Sequence, residues 1–313
     1  MLQKQLDIFF PDQFRHWEAI RINYQKLKRV KSRTCQCAGY LLRITCNPER
    51  MRSTAARVDI PPSGTGNCFL CESNRPAEQL SLNFADTYSV LVNPYPIFPH
   101  HLTIPDKRHV PQSMNEQRLN DMLTLASELP DYTVFYNGPS CGASAPDHFH
   151  FQAGDRNFMP LEENCRKKAV LLYRSDRLEI KTLNDYPCPF LLAVSQEKNS
   201  LLSYFQRVSE LMQQIITQLP EPMMNIHTFY ENGTWSLCIF PRRKRRPDQF
   251  FEEGNRKILF SPGAVDTAGV LILPREEDYR KISGRDIRNM LAQVSYTPEQ
   301  FESLKRNLQH LNL

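Results

Sequence analysis

The hydrophobic pattern is most regular in residues 148–152, which read His148, Phe149, His150, Phe151 and Gln152. Alternate side chains of a β-strand point to opposite sides, so this period predicts a strand with both phenylalanines toward the core. The two histidines and the glutamine then share the other side. Buried polar groups need partners, so this arrangement favours a functional site over a half-exposed structural strand.

Longer stretches of the chain show helical and strand periods in turn. Apolar residues at helical spacing predict one helix across residues 1–34 and another across 115–129. A basic loop is expected to begin near residue 47 and to end at the Pro/Gly break of residues 61–64. The strands predicted in this part of the chain cover residues 40–46, 88–93, a pair within 94–109, and 132–136.

From residue 177 onward the order of predicted elements repeats. The second series is a strand at 190–194, a helix at 200–219, a strand at 225–230, a turn at 231–234 and a strand at 235–240. A loop at 261–269 then leads into a strand at 270–273. Strand, helix, strand, turn and strand is also the order of the first series. We therefore predict an α+β protein whose two halves share one fold and face each other.

Composition narrows the class of protein. A chain of 313 residues with 41% hydrophobic content can bury the core of one large domain or two related ones. There is no apolar run of membrane-spanning length and no signal-peptide pattern, so we expect a cytoplasmic protein without a membrane partner. The net charge of +5 suits an anionic ligand but is too small to indicate nucleic acid.

The nine cysteines are odd in number and scattered, which argues against a disulfide framework. Cys68 and Cys71 form a Cys-x-x-Cys pair, whose spacing lets two thiolates bind one metal ion from a tight turn. Two further ligands would be needed. A redox pair is an alternative, although the flanking sequence lacks a strand-helix context, and two unrelated buried thiols are another.

Two irregular segments carry groups suited to phosphate. Residues 136–147 form a loop rich in Gly, Pro, Ser and Asn, in which backbone N–H groups can point outward. Residues 242–246 are five consecutive cations. Such a run either lies in solvent or covers the phosphates of a ligand.

Together these segments resemble the histidine-triad superfamily, in its two-halved nucleotidyltransferase branch. That branch includes galactose-1-phosphate uridylyltransferases, diadenosine tetraphosphate phosphorylases and GDP-hexose phosphorylases. Its His-x-His-x-Gln motif matches residues 148–152, and its phosphate-loop Asn matches Asn137. The resemblance implies two histidine-triad-like halves, each an antiparallel sheet with packed helices. It divides the chain into an N-terminal helix and basic loop (1–60), a half with the triad and metal site (61–176) and a degenerate half (177–313).

The resemblance to the uridylyltransferases also completes the metal site. In those enzymes the Cys-x-x-Cys pair, a downstream histidine and the first triad histidine bind zinc. The corresponding residues here are Cys68, Cys71, His109 and His148. Four protein ligands leave no position for substrate, so the implied zinc is structural.

The implied reaction is nucleotidyl transfer by double displacement, through a covalent nucleotidyl-histidine. His150 is the expected nucleophile because His148 is assigned to zinc, and Gln152 is expected to stabilise the phosphoryl oxygens. The implied substrate is a nucleoside diphosphate sugar or dinucleotide, and the acceptor is phosphate or a sugar phosphate. The expected substrate-binding residues are Asn93, Asn137, Gly142, Ser144, Arg242 and Lys244.

Two other functions remain open from the sequence. One is hydrolysis, in which water replaces the acceptor, although the smaller triad hydrolases usually carry a third histidine at the position of Gln152. The other is non-catalytic nucleotide binding on the same fold. The expected enzyme is a GDP-hexose phosphorylase or hexose-1-phosphate uridylyltransferase type, as a monomer or homodimer.

Overall fold

Two β-sheets with helices packed on them form an α+β fold, in a computed structural model that describes residues 2–51, 68–216 and 221–309. The strands are β1 Lys31–Cys37, β2 Tyr40–Cys46, β3 Leu82–Phe84, β4 Tyr88–Val92, β5 His101–Pro105, β6 Tyr132–Asn137, β7 His150–Asp155, β8 Val170–Arg174, β9 Glu179–Thr182, β10 Leu191–Ser195, β11 Met224–Glu231, β12 Thr234–Pro241 and β13 Val270–Leu273. The helices are α1 Leu2–His16, α2 Glu18–Leu27, α3 Glu116–Glu128, α4 Pro160–Lys168, α5 Lys198–Ile215, α6 Ala264–Thr267, α7 Glu276–Lys281, α8 Gly284–Val294 and α9 Pro298–Gln309.

The larger sheet contains ten strands in the order β3-β4-β5-β7-β6-β11-β12-β10-β9-β8. The order on one side of the β6–β11 contact mirrors the order on the other, which confirms the repeated fold predicted from the sequence. The two halves meet edge to edge in one continuous sheet, however, and do not face each other as expected. β6 pairs directly with β11, which satisfies backbone groups that an open sheet edge would leave unpaired.

The smaller sheet covers one side of this large sheet. In it β1 and β2 form an antiparallel hairpin, and β13 adds parallel to β2. Leu42, Ile44 and Val270 from this sheet pack in one buried cluster with Phe135 and Phe240 of the large sheet. The small sheet therefore joins residues near the N-terminus to residues of the second half.

Helices α3 and α5 lie on the opposite side of the large sheet, where their apolar residues share a core with Phe149 and Phe151. The helix predicted at 115–129 is confirmed, with the Asn115 side chain accepting a hydrogen bond from the Arg118 N–H at its N-terminus. The predicted helix at 200–219 begins at Lys198, and its residues 217–219 lie outside the described residues.

The N-terminal prediction was only partly right. The single helix expected over residues 1–34 is two helices that meet at Trp17, and residues 31–34 belong to β1. That strand depends on pairing with β2, which a local period does not reveal. Residues 52–64 of the predicted basic loop lie outside the described residues, as does the predicted domain boundary at residue 60. No helix in the described part of the chain is long and apolar enough to span a membrane.

Candidate active site

His150 stands at the start of β7, with its imidazole almost completely buried. Its Nδ1 lies 2.9 Å from the His148 carbonyl oxygen, so Nδ1 carries the proton and donates it to that oxygen. The unprotonated Nε2 is buried and has no hydrogen-bond partner within the described residues. Burial lowers the His150 pKa to about 4, which keeps the ring neutral at neutral pH. A neutral imidazole with an available lone pair is the form that acts as a nucleophile.

Gln112 fixes the backbone around this histidine, although the sequence did not single it out. Its Oε1 accepts the His150 N–H at 2.8 Å. Its Nε2 donates to the carbonyl oxygens of His150 and Asn137, at 3.1 Å and 2.9 Å. Asn137 and His150, the first residue of β7, are therefore held beside each other.

His101 on β5 orients the Gln152 side chain, which the sequence also did not predict. The Ile97 N–H donates to His101 Nδ1 at 3.2 Å, so the proton is on Nε2, and Nε2 donates to Gln152 Oε1 at 3.0 Å. Burial lowers the His101 pKa to about 3 and keeps the ring neutral. With its oxygen engaged, Gln152 has its NH₂ group left to donate to a ligand.

The four predicted metal ligands come together in one cluster. One ligand atom from each of Cys68, Cys71, His109 and His148 lies within 4.8 Å of all the others. His148 Nε2 is 2.7 Å from the carbonyl oxygen of Asp106, to which it donates, so Nδ1 faces the cysteines. Nδ1 of His148 is 3.2 Å from Cys68 Sγ. This two-sulfur, two-nitrogen set can bind a metal ion, and its chemistry fits zinc.

Asn137 ends β6 with its side chain enclosed between two loops. Its Oδ1 accepts hydrogen bonds from Asn225 Nδ2 at 3.0 Å and from the Ala264 N–H at 2.7 Å. A Cβ atom on Gly142 would lie 2.7 Å from the Gly263 Cα atom, and one on Gly263 would lie 2.9 Å from Asn137 Oδ1. Both positions therefore require glycine for the loops to close around this amide.

A cavity of about 90 Å³ lies beside these groups. It brings together Gln152 and four of the predicted substrate-binding residues, namely Asn93, Asn137, Gly142 and Ser144. His150 is not among the lining residues, but its neighbours Asn137 and Gln152 are. The lining also includes Arg50, Arg245 and Asp266. Burial raises the Asp266 pKa to about 6, while two backbone N–H groups donate to its carboxylate.

The residues of the basic run point in different directions. Arg242 is fully buried, and Lys244 pairs with Asp248. Arg243 Nε donates to the Ser295 carbonyl oxygen at 2.8 Å. Of these cations only Arg245 lines the cavity beside Asn137 and Gln152. Arg242 and Lys244, which were expected to bind the substrate, lie outside that cavity. Arg50 and Arg245 are the cations of the described chain that line this cavity. The sequence placed Arg245 in the basic run but selected Arg242 and Lys244 from it, because residue type alone does not give side-chain direction.

Two family models match the chain in succession. A domain of unknown function, DUF4922, matches residues 9–155, and a GDPGP1-like C-terminal domain matches residues 160–312. Together they cover nearly all of the chain.

Curated relatives match a shorter stretch. The galactose-1-phosphate uridylyltransferase of Lactococcus lactis subsp. lactis strain IL1403 is 28% identical over 150 residues, which are 42% of this chain and 30% of the relative. That of Lactiplantibacillus plantarum is 30% identical over 137 residues, which are 37% of this chain and 28% of the relative. The chain thus spans under a third of the length of these relatives.

The whole fold has a counterpart among solved structures. The crystal structure of yeast Ap4A phosphorylase Apa2 in complex with Ap4A superposes with a TM-score of 0.60 and 17% identity, covering 90% of this chain and 97% of that one. At this identity the likeness concerns the fold. Together, the two family models, the uridylyltransferase relatives and this shared fold make the chain similar to the two-domain, histidine-triad-like nucleotidyltransferases and phosphorylases.

Proposed function

We propose that this protein is a nucleotidyltransferase that acts on a nucleoside diphosphate sugar or a dinucleotide, with phosphate or a sugar phosphate as acceptor. The observation that carries the proposal is the buried, neutral His150, whose Nε2 has no partner in the described chain. The names of the relatives, uridylyltransferase and Ap4A phosphorylase, support this reaction class. A GDP-hexose phosphorylase or hexose-1-phosphate uridylyltransferase type fits best.

In the first step His150 Nε2 attacks the α-phosphorus, and the bond from phosphorus to the bridging oxygen breaks. The leaving group departs as a sugar phosphate, or as the second nucleotide of a dinucleotide, and the nucleotidyl group stays on the histidine. In the second step an acceptor phosphate oxygen attacks the same phosphorus and releases Nε2. The proton stays on Nδ1 and remains hydrogen-bonded to the His148 carbonyl oxygen throughout, so the ring keeps its orientation.

The amide groups of Gln152 and Asn137 donate to the phosphoryl oxygens, where negative charge develops in each step. Both amides have their oxygens engaged by the protein, which leaves the nitrogens to face the ligand. Asn93 and the loop residues Gly142 and Ser144 line the same cavity and complete the substrate site. We assign the cationic contacts to Arg50 and Arg245, not to Arg242 or Lys244, because the first two line the cavity.

We further propose that the metal is a single structural zinc ion held by Cys68, Cys71, His109 and His148. When bound, zinc would supply stability and no reacting ligand. His148 connects the two sites within this chain, because its ring faces the cysteines while its carbonyl oxygen accepts the His150 Nδ1 proton. Order in the metal cluster thus supports the tautomer that the nucleophile needs.

The test is incubation of the purified protein with a panel of nucleoside diphosphate sugars and dinucleotides, with and without inorganic phosphate. We expect phosphate-dependent release of a nucleoside diphosphate, and an acid-labile labelled nucleotide on His150. Equal turnover without phosphate would instead establish a hydrolase. Binding without turnover of any compound would establish a nucleotide-binding protein.

A further inference from the structure

We propose that Asn225 and Arg242 are positioning residues, through which the half without the histidine pair sets the direction of the Asn137 amide. This inference rests on the proposed function, in which that amide contacts a phosphate. The two asparagines lie at the junction of the halves: β11 pairs with β6, and this register places Asn225 of the second half opposite Asn137 of the first.

The starting point of the arrangement is the guanidinium of Arg242, which is fully buried. Its Nη1 donates to Asn225 Oδ1 at 2.7 Å and to the Pro262 carbonyl oxygen at 3.1 Å. Its other nitrogens donate to the carbonyl oxygens of Val294, Lys244 and Arg245, at 3.1 to 3.2 Å. A guanidinium can only donate hydrogen bonds, so the Asn225 side chain must turn its oxygen, and not its NH₂ group, toward Arg242.

The direction of one amide then determines the direction of the next. Because Oδ1 of Asn225 faces Arg242, its Nδ2 is turned toward Asn137 Oδ1 at 3.0 Å and the Cys141 carbonyl oxygen at 2.7 Å. Asn137 must therefore present its oxygen to Asn225 and its NH₂ group to the other side. The Ala264 N–H, 2.7 Å from the same oxygen, favours the same orientation.

This orientation decides how the site treats an anion. An NH₂ group directed at the cavity attracts a phosphoryl oxygen, whereas a carbonyl oxygen there would repel it. Both Asn225 and Asn137 are buried, so an amide in the wrong direction would leave polar groups unpaired at high cost. The same guanidinium also holds the backbone of Lys244 and Arg245, the second of which lines the cavity. Arg242 thus acts on the ligand through other residues and not by contact.

The sharpest variant is Asn225→Asp. Aspartate keeps an acceptor for Arg242, but it offers only oxygens to Asn137 and to the Cys141 carbonyl. We expect the Asn137 amide to reverse, with kcat per folded molecule reduced about 10- to 100-fold. The unfolding midpoint should also fall, because the Cys141 carbonyl and the Ala264 N–H lose their partners. Asn137→Ala should lower kcat at least as much, and the double variant should be no slower than Asn137→Ala alone. Arg243→Met, in the same basic run but directed at Ser295, is the matched control and should keep wild-type kcat.

The inference would be overturned if the two single-variant reductions in kcat multiplied in the double variant. It would also be overturned if activity fell only in proportion to the fraction of protein that is unfolded. A failure of the proposed function is distinguishable, because the wild-type protein would then turn over none of the nucleotide substrates. In that case calorimetric binding of inorganic phosphate to the wild-type protein and the same four variants replaces kcat. Phosphate binding that Asn225→Asp weakens, and that is no weaker in the double variant than in Asn137→Ala, supports the proposed orientation of Asn137 by Asn225. Unchanged binding in Asn225→Asp rejects it.

Discussion

The two halves share one strand order but differ in how their central hairpins are closed. In the first half residues 138–149 connect β6 to β7 and form the loop beside His150. In the second half only Asn232 and Gly233, both with positive φ, connect β11 to β12. A turn of two residues closes a hairpin but leaves no room for a phosphate loop. The comparison indicates that the shared sheet is a scaffold, and that the long loop in the first half forms part of the candidate site.

The halves also use buried histidine differently. His150 and His101 in the first half are tied into the site by hydrogen bonds to His148 and Gln152. His227 in the second half lies between Phe135 and Phe240, with ring centroids 6.0 Å and 5.4 Å away, and burial lowers its pKa to about 3. Under the proposed function, the first half supplies the nucleophile and the amides that contact the phosphate. The second half contributes core packing, the Arg245 contact and, through Asn225 and Arg242, the orientation of Asn137.

The largest expected effect comes from replacing His150, the first residue of β7, whereas the corresponding residue of β12 should be dispensable. His150→Gly should lose at least about 10³-fold in turnover while retaining its fold and metal, because the nucleophile is gone. Thr234→Ala, at the first residue of β12, is the matched change and should keep wild-type turnover. Steady-state kinetics and adduct trapping check both. Substantial activity in His150→Gly would show that His150 is not the nucleophile and would reject the proposed division of roles between the halves.

Cysteine substitutions in the two halves should differ in their effect on the metal content of the protein. Cys68→Ser should lose the metal and destabilise the protein by a few kcal/mol, on the order of 3, because metal binding contributes folding free energy. Cys188→Ala in the second half removes a thiol that is also buried and should keep one metal ion per chain, with a packing loss of about 1 kcal/mol. Elemental analysis and denaturant unfolding measure both. Full metal occupancy in a Cys68/Cys71 double variant would reject the cluster.

Glycines in the two connections should respond unequally. Gly142→Ala places a Cβ atom 2.7 Å from the Gly263 Cα atom at φ +99°, so we expect about 2 kcal/mol or more of destabilisation and reduced turnover. Gly233→Ala also has positive φ, but nothing lies within 4 Å of the added atom. Its cost should be about 1 kcal/mol, without change in turnover. Equal unfolding free energies for the two variants would show that the loop can relax around Gly142.

The smallest expected effect is on the orientation of Gln152. His101→Phe keeps a buried ring but removes the donor to Gln152 Oε1, so kcat should fall about tenfold, in line with one buried hydrogen bond. His227→Phe makes the same exchange in the second half and should leave kcat unchanged. An equal loss in both variants would mean that packing, and not the bond to Gln152, explains the effect.

Local pattern determined much of the fold. The strands predicted at 40–46 and 270–273 have those bounds in the structure, and the Asn115 cap begins α3 where the pattern placed it. Strand period, helix caps and turn residues act between near neighbours in sequence, so they can be recognised without a structure. The same alternation put His150 and Gln152 on one side of β7, and the matched family motif gave the four members of the metal cluster.

Tertiary structure decided what no local pattern contains. The five cations of residues 242–246 look equivalent in sequence, yet Arg242 is enclosed by acceptors while Arg245 lines the cavity. The edge-to-edge joining of the halves, the contact of His101 with Gln152 and the arrival of Arg50 at the cavity likewise depend on partners far away in the chain. Side-chain direction in irregular segments follows from which distant donors and acceptors must be satisfied, and only the folded chain brings those groups within reach.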